Sequence, residues 1–304
     1  MFDALYPPLD WDAQRAHWPH SAHSVFVQTD AMRWHVQRMG HGPVVLLIHG
    51  TGASTHTWRE VMPLLAARYS VVAIDLPGHG FSDPLRHGVA SLPAVAQALR
   101  GLLSQLQIEP KVWIGHSAGA AIAARCCIDA VAQEPKLNSK LRLLAINPAW
   151  LPLSGASQWL FPLAAWLIEL NPLSGWLAAK RASRSGVIDS LLAGTGSKLD
   201  EEGLRAYRYL LSQPRHVRGV LQLMAAWDLH SFSRDLPQLP VAVRMQIGEN
   251  DRTIAPAQAE QALALLQHAE LSRFAHLGHL LHEEAATPCV QDFEAWMARL
   301  DALV

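Results

Sequence analysis

The chain alternates between short apolar runs and longer stretches in which apolar positions recur every three or four residues. Apolar runs of about five residues bounded by Gly, Pro or Asn predict buried strands. Five of these are "PVVLLIHG", "YSVVAIDLPGHG", "KVWIGHS", "LRLLAIN" and "VAVRMQIGEND", and the less apolar "ELSRFAHLGH" follows them. Ahead of them, "SVFVQT" and "MRWHVQR" read as two strands joined by a short turn, an antiparallel pair near one edge. Helical spacing falls between the strands, over 58–67, 92–106, 118–132 and 257–266, with a last helix over 290–303. Strand–helix alternation of this kind predicts a mostly parallel sheet of about eight strands with helices on both faces.

Between Pro148 and Asp235 the alternation stops. Trp-, Leu- and Ala-rich helical patterns follow one another there, punctuated by "NPLSG", "AGTGS" and "QPRH". Residues 148–235 therefore read as a helical cap inserted into a discontinuous core of residues 1–147 and 236–304. The longest apolar run, "WLFPLAAWLI", is broken by Pro162 and closed by Glu169, which suits a buried or interfacial helix better than a membrane span. The first residues carry neither a basic n-region nor a long apolar segment, so no signal peptide is expected. The expectation is a soluble, cytoplasmic protein without a transmembrane segment, with peripheral membrane contact left open.

Composition narrows the classes further. The chain has 304 residues, half of them hydrophobic and 17% charged, enough for a large buried core. A net charge of -1, with no basic arm, gives no reason to expect nucleic acid. Cys126 and Cys127 are adjacent and Cys289 is distant, so the three cysteines build no disulfide framework.

The chemistry begins at Gly115-His116-Ser117-Ala118-Gly119, a G-x-S-x-G pattern lying between an apolar strand and an Ala-rich helix. That context predicts a strained strand-to-helix turn that lifts a nucleophilic serine above the sheet, with glycines where side chains would clash. A serine nucleophile needs a base, and the base needs an orienting carboxylate. Asp251 and His279 both follow strands and stand in the order Ser, acid, His. Glu249 is the competing acid, and His276 and His282 are the competing bases. Backbone N–H groups of Ala118 and of Thr51, in "HGTGAST", are the expected oxyanion donors. The alternative for that loop is a plain glycine turn into a helix capped by Ser54. Asp75 in "DLPGHGFS" reads as a loop-ordering carboxylate, and His79 reads sooner as an inert surface histidine than as part of the site mouth. "HLGHLLH" places three histidines at spacings of three, but a second short-range acidic ligand set is lacking and one histidine is already claimed as the base, so neither metal nor cofactor is expected. His116, Trp150, Trp159, Trp166 and Trp176 are candidates for the pocket, with a core role as the default for any single tryptophan.

With these residues in view, the whole chain resembles an α/β-hydrolase-fold protein. More narrowly, it resembles the magnesium-chelatase accessory proteins of bacteriochlorophyll biosynthesis (BchO type). The stretches that carry this are "RWHVQRMGHGPVVLLIHGTGASTHTWR", "DLPGHGFSDP", "GHSAGAAIAARCCID", "AGTGSKLDEEG", "MAAWDL" and "GENDRTIAPAQA". The G-x-S-x-G pattern marks only the superfamily, whereas the long "WHVQRMG…HGTGAST" and "AGTGS" stretches single out the accessory type. The resemblance implies a role beside the chelatase that inserts Mg2+ into protoporphyrin IX, with a tetrapyrrole as ligand and chelatase subunits as partners. It maps the family's triad onto Ser117, Asp251 and His279; Ala255 departs from a proline that many hydrolases carry.

Three functions follow. One is a serine esterase acting on a bulky lipophilic substrate. Another is a non-catalytic porphyrin-binding or chelatase-accessory protein. The third is a carboxylesterase or C–C bond hydrolase unrelated to pigments. The complete set of nucleophile, acid, base and oxyanion loop favours chemistry over binding alone. Serine at position 117 disfavours dehalogenase and epoxide-hydrolase chemistry, which use an aspartate nucleophile.

Overall fold

The computed structural model describes residues 5–152, 173–182 and 186–302. Among them, eight strands form one sheet: β1 (Ser24–Gln28), β2 (Arg33–Met39), β3 (Val44–Ile48), β4 (Ser70–Ile74), β5 (Val112–His116), β6 (Arg142–Ile146), β7 (Ala242–Gly248) and β8 (Ala269–Phe274). Their order across the sheet is β1-β2-β4-β3-β5-β6-β7-β8. β2 runs antiparallel to β1 and β4, and every pairing from β4 through β8 is parallel.

Parallel strands need helical crossovers, and these cover both faces of the sheet. Alternate residues of each strand divide between two cores. Leu46, Ile48, Val72, Ile74, Trp113 and Leu143 pack on one face with α3 (Leu92–Leu106) and α4 (Ala118–Gln133). Val45, Leu47, Val71, Ala73, Val112, Ile114 and Leu144 pack on the other with α2 (Val61–Ala66) and α12 (Ala286–Asp301). Burial on both sides is why these strands read as continuous apolar runs rather than as alternating ones. Cys126 and Cys127 lie in the first core and Cys289 in the second, and burial pushes all three thiols up, Cys126 to about 12.

Between β6 and β7 the described residues contain helices and no strand: α5 (Ser174–Ala182), α6 (Val187–Ala193), α7 (Glu201–Leu211), α8 (Pro214–Ala225) and α9 (Leu229–Asp235). The chain then returns through β7, α10 (Pro256–Leu263), β8 and the short α11 (Leu281–Glu284). The last helix begins at Ala286 rather than Val290. Pro288 falls in its first turn, where a proline costs no intrahelical hydrogen bond. At the other end of the chain, the predicted helix over 58–67 is a 3-10 turn, Thr55–Trp58, followed by α2.

The order of strands reverses at β3, whose successor β4 lies on one side and β5 on the other. In open α/β sheets the crevice beyond the carboxyl ends of such strands is where ligands bind. Here it is bordered by the loop after β3 and the turn after β5.

Candidate active site

Ser117 sits in the turn from β5 to α4 with φ 52 and ψ −117, a conformation rare for a residue with a side chain. The surroundings hold it there. Its N–H donates to Ile146 O at 2.9 Å, and its carbonyl accepts from Ala120 N–H at 3.1 Å and Ala149 N–H at 3.2 Å. The flanking glycines are obligatory on contact grounds. A Cβ on Gly115 would lie 2.5 Å from Ala120 backbone atoms, and one on Gly119 would lie 2.1 Å from Ile48 O. The start of α4 thus presses directly against the end of β3, and Ser117 remains partly exposed above both.

Asp251 lies in the turn after β7 and His279 in the loop after β8, and both are buried. His279 Nδ1 donates to Asp251 Oδ2 at 2.7 Å. The other carboxylate oxygen accepts Thr253 N–H at 2.7 Å and Ile254 N–H at 2.9 Å, so the carboxylate is locked in one orientation. This bond keeps the proton on Nδ1 of the neutral ring and leaves Nε2 as an acceptor. Among the described residues Ser117 Oγ makes no hydrogen bond to His279, the contact that would complete the relay. Such bonds commonly tighten only when substrate is bound.

Two side chains hold the His279 backbone. His116 Nε2 donates to His279 O at 2.9 Å, and Asn147 Nδ2 donates to the same carbonyl at 2.7 Å and to Gly278 O at 3.0 Å. Asn147 Oδ1 accepts Gly248 N–H at 2.9 Å, tying β7 to the same loop. His116 is therefore a buried support beneath His279, within the group the sequence placed at the pocket. Its ring packs 4.7 Å from that of His279 and 4.5 Å from that of His282. Burial holds His116 well below the ordinary imidazole range and lowers His282 to about 3. A proton taken up by His279 then meets no second imidazolium in this cluster.

The competing candidates lie elsewhere. Glu249 and His276 are exposed, while His282 is buried and bonds Thr57 Oγ1 through Nε2 at 2.8 Å. Thr57 Oγ1 donates to Glu283 Oε1, and Tyr207 Oη donates to the same oxygen. Arg59 Nη1 pairs with Glu283 Oε2 at 2.6 Å, and its Nη2 pairs with Asp200 Oδ1 at 2.8 Å ahead of α7. Burial raises the Glu283 carboxyl against the opposing pull of Arg59.

The N–H groups of Thr51 and Ala118 make no protein hydrogen bond among the described residues, although Ala118 is buried. Both are free to donate to an oxyanion. The Thr51 loop is held by histidines. His49 Nδ1 donates to Gly50 O at 2.7 Å, and His216 of α8 donates through Nε2 to Gly52 O at 3.2 Å while accepting Gly80 N–H at 3.0 Å. Burial lowers His216 to about 4, keeping it the neutral ring that this pair of bonds requires. Asp75 orders the adjoining loops: it accepts from Thr55 N–H, Phe81 N–H and His35 Nδ1. Burial would raise its carboxyl, but His35, His49 and the Phe81 N–H together overcome that and hold it at about 2.

His79 corrects the sequence expectation of a surface histidine. It is fully buried between His49 and His216, because Gly78 lets α8 approach closely enough to cover the loop. Trp150 is a core side chain with 1% of its surface exposed, packed in the cluster that includes Leu223, Phe232 and Leu236. Trp176 lies on α5 with the Lys180 ammonium 4.9 Å above its ring. Trp159 and Trp166 lie outside the described residues. The sequence alone does not mark Asn147 or the "AGTGS" backbone as site residues. The available signal for Asn147 was a polar residue closing an apolar strand just before a proline.

Comparison with known proteins places this geometry in context. Residues 45–292 match the model of the alpha/beta hydrolase family. The chain is 34% identical over 280 residues to the magnesium-chelatase 30 kDa subunit of Rhodobacter capsulatus, covering 91% of this chain and 95% of that protein. It is 30% identical over 270 residues to the pimeloyl-[acyl-carrier protein] methyl ester esterase of Methylococcus capsulatus, covering 86% of this chain and 98% of that one. Among solved structures, an epoxide hydrolase superposes with a TM-score of 0.73 at 22% identity, over 91% of this chain and 99% of its own. That last likeness is one of fold alone. No helix among the described residues is long and apolar enough to cross a membrane.

Proposed function

This chain belongs to the alpha/beta hydrolase family, with the magnesium-chelatase 30 kDa subunit among its relatives, and from that premise we propose that it is a serine hydrolase of the esterase type. Ser117 attacks the carbonyl of an acyl substrate while His279 Nε2 takes the hydroxyl proton. Asp251 holds the imidazole through Nδ1 and stabilises the charge that forms on it. The N–H groups of Ala118 and Thr51 receive the oxyanion. Collapse of the tetrahedral intermediate expels the leaving group, which His279 protonates, and water then repeats the sequence on the acyl-enzyme. The observation that carries this reading is the buried 2.7 Å His279–Asp251 pair, whose His279 carbonyl is bonded by His116, the residue before a serine at φ 52.

The insertion, residues 148–235, is assigned as the cap, and the ligand as a bulky apolar molecule. Leu177 and Leu191, exposed on α5 and α6, give this region apolar surface. Association with the magnesium-chelatase step is supported by the relative from Rhodobacter capsulatus, and a tetrapyrrole is the ligand proposed to go with it. The chemistry is tested with aryl esters of increasing acyl length. Hydrolysis that falls at least about 10³-fold in Ser117→Ala is expected. Equal turnover by the two proteins would sink the proposal.

A further inference from the structure

The "AGTGS" segment, residues 193–197, follows α6 in the insertion, yet its contacts are with the loops that carry the acid and the base. Thr195 O accepts two N–H groups, from Arg252 at 3.1 Å and from His279 itself at 3.3 Å. Gly196 O accepts Asn250 Nδ2 at 2.6 Å, and Ser197 Oγ accepts Leu280 N–H at 2.8 Å. The segment thus touches the residues on both sides of Asp251, together with His279 and its successor. Beyond it, Lys198 N–H donates to Glu284 Oε2 at 2.9 Å, and Glu284 Oε1 accepts Gly278 N–H at 2.8 Å.

The fit leaves no room. Gly196 has φ +83, and a Cβ there would lie 2.0 Å from Asn250 O. A Cβ on Gly278 would lie 2.3 Å from Gly196 C and 2.4 Å from Ser197 N. Two glycines from separate parts of the chain meet backbone to backbone. Thr195 Oγ1 turns back onto Leu192 O at 2.6 Å and so holds the segment's own turn closed. Ser197 is buried, with its hydroxyl engaged by the His279 loop.

We infer that residues 195–197 form a positioning clamp, carried by the inserted region, that sets the His279–Asp251 pair in register. Ser197 and Gly196 are its positioning residues. They touch no reacting atom and act through the backbone on either side of the pair. Displacement of the insertion would therefore reach the pair directly, through the atoms that hold it. A base misplaced by an ångström loses turnover rather than ground-state binding of a small substrate. The inference rests on the hydrolase reading for its consequence in rate, but its geometric content is separable.

The test uses the full chain with Ser197→Ala, Ser197→Thr and Gly196→Ala. Two readouts are compared, the kcat and KM for a short aryl ester and the low-field proton resonance of the His279 Nδ1–Asp251 hydrogen bond. That resonance is assigned by its loss in Asp251→Asn. Ser197→Ala is expected to lower kcat about tenfold with KM little changed and to shift or broaden the resonance. Ser197→Thr, which keeps the hydroxyl, restores both. Gly196→Ala has the larger effect, and Ser197→Ala carries the test if that variant does not fold. A folded Ser197→Ala with wild-type kcat and an unmoved resonance overturns the clamp and leaves the hydrolase reading intact. A wild-type chain inert to esters, whose resonance still moves in Ser197→Ala and returns in Ser197→Thr, sinks the hydrolase reading and supports the clamp.

Discussion

Ser117, Asp251 and His279 differ in what their neighbours demand of them. Ser117 is held at positive φ by bonds on both sides of its peptide, and the strain is tolerated because Gly115 and Gly119 clear the space. Gly119→Ala is expected to destabilise the fold by about 3 kcal/mol or more, since its Cβ would meet the Ile48 carbonyl with backbone on both sides. Urea unfolding would measure it, and a loss below about 1 kcal/mol would show that the turn can relax. Asp251→Asn keeps an acceptor for Thr253 and Ile254 but can present an N–H to His279, which favours the wrong tautomer. Its kcat should fall about 10⁴-fold with stability nearly unchanged, as read by ester turnover and thermal melting. As candidates these three positions could be named from the sequence, because each is marked locally by a motif or a strand end. Asn147 and His116 were not legible as supports for His279. Their hydrogen bonds cross more than 130 residues of chain, and no local pattern shows which partner each one meets.

The strands could be placed from the sequence because the sheet is buried on both faces and writes itself as apolar runs of five residues. The stretch between β6 and β7 was legible as helical, but not helix by helix. Gly186 and Gly194 bound α6 and Pro214 opens α8, but what its described helices touch is set by tertiary packing. "AGTGS" stood out as a stretch, but its use becomes visible only when Gly196 is seen against Asn250 and Gly278. Arg59 offers a second link of the same kind, from the 3-10 turn before α2 to Glu283 in α11 and Asp200 at the start of α7. Arg59→Met would strand the buried Glu283 carboxylate and should cost about 3–5 kcal/mol. The double change Arg59→Met with Glu283→Gln should recover much of that loss. A double-mutant cycle by denaturant unfolding checks it, and simple additivity would contradict the coupling.

For the whole molecule, buried neutral histidines dominate the response to acid. Burial lowers His216 to about 4 and His282 to about 3, from an ordinary 6.5, and it also lowers His49, His56, His79 and His116. Between 6.5 and those values the unfolded chain binds protons that the folded chain refuses. The stability of the neutral rings is therefore complete above pH 6.5 and drains as the pH falls toward 3. Asp75 acts lower: held at about 2 against 3.8, its contribution is lost as the pH falls through that interval. Thermal melts should decline from about pH 6.5 downward, before the carboxylates titrate, and His216→Gln should flatten part of that slope. A melting temperature constant from pH 7 to 5 would contradict this. The same core holds the central claim, that Asp251 and His279 activate Ser117. The direct measurement is intact-mass and peptide mapping after incubation with a fluorophosphonate. One adduct on Ser117, absent from Ser117→Ala and slowed at least about a hundredfold in the folded His279→Gln variant, is the predicted result. A folded wild-type chain that takes up no adduct, or takes it up equally without His279, would contradict the account.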